Sequence, residues 1–161
     1  MVLSAFAFAA LSVQAASTSA ATGAVPEAVL SQSAPAAQRY QWDQHAVRVD
    51  LDADGATDFA LLGRSATEVV AAYAKGPLTK FSRATILRFP VDAGRQDAVC
   101  DAAVALRAED TTYEPGEEEI PVLPGFRRIA GPHGLVLEDG VCDSIHLYWD
   151  HASHRLRWWR R

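Results

Sequence analysis

Several things that this sequence lacks limit what it can be. It has no H-E-x-x-H, no G-x-S-x-G and no glycine-rich phosphate loop, so no short motif points to a zinc peptidase, an α/β-hydrolase or a nucleotide site. It has only two cysteines, Cys100 and Cys142, and neither belongs to a C-x-x-C pair, which argues against zinc. It lacks an excess of positive charge. Its 161 residues carry 15 Lys and Arg against 20 Asp and Glu, a net charge of -5. General nucleic-acid binders are usually basic, so none is expected as a partner. The apolar run from Val2 to Val13 is too short for a permanent membrane helix, and no transmembrane segment is expected in the mature chain.

That run reads instead as a signal peptide over residues 1–15, with Val13-Gln14-Ala15 as a small-residue cleavage site and Ala16 as the mature start. No Lys or Arg precedes it, and a start further upstream would supply the missing basic segment. The alternative is a buried N-terminal helix. Export implies a periplasmic or secreted protein, where Cys100 and Cys142 would pair. Such a bridge would be worth about 4 kcal/mol on the chain-entropy model. Two separate buried thiols are the competing possibility.

Residues 16–38 are rich in Ala, Ser, Thr and Pro and read as a flexible tether with at most a short helical turn near Pro26–Leu30. A single β-domain is expected over 39–161. Apolar runs at 58–63 and 67–74 predict a hairpin, although the alanine content of the second also suits a helix. Further strands are expected at 84–89 and at 100–106, with Cys100, Ala102, Val104 and Leu106 on one face. Residues 107–133 hold prolines and clustered acids and read as a long surface loop. A short extended piece at 134–137 and a C-terminal hairpin, 143–149 with 155–160, complete the pattern. The fold class expected is all-β: about seven or eight short, mainly antiparallel strands in a sandwich, barrel or propeller-like sheet, with one disulfide.

The most informative stretch is V-D-L-D-A-D-G-A-T-D-F, residues 49–59. Asp50, Asp52, Asp54 and Asp58 fit D-x-D-x-D-G-x-x-D. Gly55 permits the bend that turns the first three carboxylates inward, and the Ala56 carbonyl adds an oxygen. A hard cation such as Ca²⁺ takes about six to eight oxygen ligands in flexible geometry, and a set with no His or Cys favours it over zinc or copper. The spacing departs from an EF-hand where that loop places a bidentate Glu, because Leu61 stands there. An apolar run also follows, not an amphipathic helix. The stretch therefore resembles the calcium loop between two strands of FG-GAP and VCBS-type repeats. That resemblance covers residues 49–62 and implies Ca²⁺ at Asp50, Asp52, Asp54, Ala56 and Asp58, weakly held at about 10⁻⁴–10⁻³ M, as in extracellular modules. A full propeller would need several repeats, and this chain has one. The outline as a whole looks like small proteins exported by Gram-negative bacteria.

Four other groups merit weighing. His146, His151 and His154 could ligate a transition metal, but two of them fall in a predicted turn. Ser144 and His146 share a strand face without a placed acid. The acidic Glu114, Glu117, Glu118 and Glu119 form either a solvated face or a surface for a basic partner. The terminal R-L-R-W-W-R-R mixes Arg155, Arg157, Arg160 and Arg161 with Trp158 and Trp159, a blend that could touch anionic lipid or glycan or simply close the last strand. The function expected is an exported, calcium-stabilised binding domain without catalytic activity, whose partner is a protein or glycan of the cell envelope. The alternative is a periplasmic inhibitor or immunity protein against a cell-wall-degrading enzyme.

Overall fold

A computed structural model describes residues 24–33, 40–116 and 120–161. The expected signal peptide and Glu117, Glu118 and Glu119 lie outside them.

The apolar runs on either side of Gly63-Arg64-Ser65 pair as a hairpin and not as a helix. Strand β3 (Asp58–Arg64) lies antiparallel to β4 (Glu68–Ala74), with Phe59 opposite Ala74 and Arg64 opposite Val69. The near-continuous apolar character of both strands follows from burial on two faces. Val69 and Tyr73 of β4 point into the main core, while Ala72 and Ala74 point the other way. Around this pair the first sheet runs β1 (Gln41–Trp42), β3, β4, β5 (Thr85–Pro90), with β2 (Val47–Val49) also on β3.

The second sheet is a meander of β6 (Ala105–Thr111), β7 (Ile129–Glu138), β8 (Ile145–Asp150) and β9 (Arg155–Trp159). The core lies between the sheets. Leu62, Val69 and Phe89 from one meet Leu135, Leu137, Ile145, Leu147 and Leu156 from the other. Among the described residues, nine strands in two sheets therefore make a β-sandwich, and the bridge joins Cys100 to Cys142.

Three expectations need correction. Helix α1 (Ala24–Gln32) lies inside the segment read as tether. Its Leu30 is fully buried against Leu61, Ala72 and Ala74, whose small side chains let the helix approach. Glu27 accepts the Ala46 amide at 2.9 Å, and Ser33 accepts that of Ala84 at 2.9 Å. These residues belong to the domain, because the outer face of β3 and β4 would otherwise expose leucine.

The strand expected at 100–106 begins only at Ala105. Cys100 and Cys142 sit in the segments before β6 and after β7, where the Asp139 carboxylate gathers the amides of Cys100 (2.6 Å), Val141 (2.9 Å) and Cys142 (2.9 Å). The bridge thus ties two loops, not a strand to the C-terminal hairpin.

The long loop is also shorter than composition suggests. β6 continues to Thr111 and β7 starts at Ile129, with a bulge around Asp110 where Pro132 is accommodated. Arg107 and Glu109 on the outer face disguised β6 as a loop. Between β6 and β7, Ile120 and Leu123 are buried against Tyr148 and Trp159 of the second sheet.

Candidate metal centre

The aspartate loop is the connection of the β2–β3 hairpin, closed where Val49 pairs with Asp58. Two residues adopt left-handed backbone, Ala53 (φ 57°) and Gly55 (φ 85°). Gly55 does so freely, whereas Ala53 costs roughly 1 kcal/mol, so the rest of the loop must hold it there.

The carboxylates do that work. Asp50 accepts the amides of Asp54 (3.1 Å) and Gly55 (3.0 Å), and Asp54 accepts that of Ala56 (2.8 Å). Asp58 is fully buried and takes the Leu51 amide on one oxygen (3.0 Å) and the Gly76 amide on the other (2.9 Å). Burial pushes the Asp58 carboxyl up from its ordinary value, against the pull of the Gly76 and Leu51 amides. Backbone donation from Ala56, then Lys75, holds Asp54 down.

Asp50, Asp52 and Asp58 each present an oxygen within 4.8 Å of the others. Asp54 stands outside that set and turns to Lys75, whose Nζ lies 3.0 Å from it and also contacts Asp52. Four carboxylates against one ammonium leave three negative charges in the loop, taking all as ionised. The second oxygen of Asp52, Oδ1, is buried without a hydrogen-bond partner. A buried acceptor left unsatisfied calls for an ion or a water. The donor set is all oxygen, and the orphan sits on a residue of the cluster, so the residues fit a hard cation.

Sequence reasoning missed Lys75, Gly76 and His133. The first two were within reach: a hairpin of 58–63 with 67–74 returns residue 75 beside Asp58. His133, whose Nδ1 lies 2.5 Å from the Asp50 carbonyl, comes from the other sheet and left no signal in the sequence.

The remaining candidates separate. His146 Nδ1 meets Glu109 Oε1 at 2.6 Å and its ring stacks on Trp159. Among the described residues, the three histidines form no metal-ligand group. Glu114 pairs with Arg128 at 2.8 Å. No described helix is long and apolar enough to cross a membrane. The disulfide suits an oxidising, extracytoplasmic compartment. Set beside protein-family models, curated proteins and solved structures, the chain matches none of them.

Proposed function

We propose that this chain is an exported β-sandwich domain, stabilised by Ca²⁺ in the 50–58 loop, that binds a component of the cell envelope and catalyses no reaction. The observation that supports it most is the clustering of Asp50, Asp52 and Asp58, one of which, Asp52, also carries a buried oxygen that no protein donor satisfies. The ion would be structural. It would close the hairpin that seats β2 on β3, with the Ala56 carbonyl as a further ligand. The chemistry that it supplies is charge neutralisation. Calcium titration by calorimetry, with melting in Ca²⁺ and in chelator, tests this. A measurable heat and a raised melting temperature are expected, because a ligand bound only by the folded state stabilises it. No heat and an unchanged melt would overturn it.

The Lys75 contacts favour a second reading, in which the ammonium alone closes the loop. Lys75→Met separates the two. An ion-free loop would lose stability that calcium cannot restore. The inhibitor role is a special case of binding, with the acidic stretch expected over 107–125 as its plug. Charge reversal at Glu117, Glu118 and Glu119 that leaves capture of a basic lytic enzyme unchanged would retire it.

A further inference from the structure

Strands β5 and β9 each end their sheet, and between them the sandwich opens into two adjoining clefts. The larger, about 490 Å³, is bounded by Thr85 and Leu87 of β5 and by Arg155, Arg157 and Trp158 of β9. The second, about 380 Å³, shares Tyr73 and Thr85 with it and adds Lys75, Arg83 and His154. Each falls in the range of about 300–1,000 Å³ typical of ligand sites.

The charge distribution is one-sided. Lys75, Arg83, Arg155 and Arg157 line the pair of clefts, and no acidic residue among the described ones does, although acids outnumber bases in the chain. Arg157 is held by Asp150 at 3.5 Å, and Lys75 by the aspartate loop. Arg83 and Arg155 are exposed and, among the described residues, join no ion pair. Trp158 is 38% exposed, and its ring is fixed edge-on against Phe89 at 6.2 Å.

Strand addition by a peptide fits this opening poorly. On β9 the Leu156 amide already donates to the Tyr73 hydroxyl at 3.2 Å. On β5, Pro90 has no amide proton, and its carbonyl accepts the Val99 amide at 2.9 Å. Occupied groups of this kind blunt an edge, so recognition falls to the side chains. Guanidinium groups pair with carboxylates in fixed geometry, and an exposed indole offers a flat apolar face.

We propose that the cleft between β5 and β9 binds an acidic polysaccharide, with uronate carboxylates on Arg83 and Arg155 and a sugar face laid on Trp158. This names the ligand class of the binding domain proposed above and rests on that reading.

The test is calorimetric titration of the full chain, in chelator, with oligogalacturonate, with dextran oligosaccharide of equal length and with poly-glutamate. Oligogalacturonate should bind with an affinity that falls as salt rises, dextran should give no heat, and poly-glutamate should bind at least about tenfold more weakly. Arg83→Gln with Arg155→Gln should weaken oligogalacturonate binding by about tenfold or more, as should Trp158→Ala. Trp158→Phe, which keeps a flat ring, should retain most of the affinity and serves if the alanine variant does not fold. Absence of oligogalacturonate binding, equal or tighter binding of poly-glutamate, or binding indifferent to these substitutions would overturn the proposal. Calcium-dependent melting of the same variants is a separate readout. Its loss alone counts against the calcium loop and leaves the cleft standing.

Discussion

Lys75, just past the end of β4, places its ammonium 3.0 Å from the carboxylate of Asp54, at the open end of the β3–β4 hairpin. The same nitrogen contacts Asp52, so it would compete with a bound cation for a carboxylate of the acidic cluster. Its pKa is raised, first by hydrogen bonding to Asp52 and then to Asp54. Lys75→Met should therefore lower the melting temperature of the metal-free protein by only a few degrees, since an exposed pair is worth about 0–1 kcal/mol. It should also tighten calcium binding several-fold. Calorimetry of the variant showing unchanged or weaker calcium affinity would separate Lys75 from the cluster.

Asp52→Ala should abolish the calcium response. It removes both the cluster oxygen and the orphaned Oδ1. Melting curves with and without Ca²⁺ should then superimpose, while circular dichroism keeps its β signature. A variant that still gains stability from calcium would show that the ion sits elsewhere.

Leu30→Ala should destabilise the domain by about 2–4 kcal/mol, the cost of emptying a fully buried leucine site. Urea denaturation measures it. A change below about 0.5 kcal/mol, the level of an ordinary surface substitution, would return α1 to the status of a tether.

Protein produced in an oxidising compartment should show no free thiol by mass spectrometry, with Cys100 and Cys142 in one linked peptide. Cys100→Ser with Cys142→Ser should cost up to about 4 kcal/mol. Two alkylatable cysteines would contradict the pairing.

Acid should weaken the C-terminal hairpin through Asp150. Its carboxyl accepts from the Ser153 hydroxyl at 2.6 Å and from the Ala152 and Ser153 amides. The Ser153 hydroxyl is the largest of the causes that hold its pKa at about 2, against an ordinary 3.8, with burial opposing. The folded state binds this proton less tightly than the unfolded one. The contribution to stability is therefore complete above pH 3.8 and is lost as the pH falls towards 2. The stability gap between the native chain and Asp150→Asn should narrow over that interval. A gap independent of pH would assign the stabilisation to packing.

Local pattern carried much of this protein. Period-two alternation and two-sided apolar runs marked β3, β4, β5, β8 and β9, because side chains of a strand alternate whatever lies above it. The loop of Asp50, Asp52 and Asp58 was legible for a similar reason: its carboxylates lie within nine residues, and glycine sets the bend. Local pattern did not decide what covers the outer faces. Leu30 on β3 and β4, and Ile120 and Leu123 on Tyr148, are buried by contacts between distant segments. A lone leucine in a polar, alanine-rich stretch looks the same whether it docks or not. Nor could the sequence place His133 under Asp50, or Arg83 beside the cleft of Arg155 and Trp158. Those neighbours depend on strand register and on how the two sheets stack, which is settled only when the whole core packs.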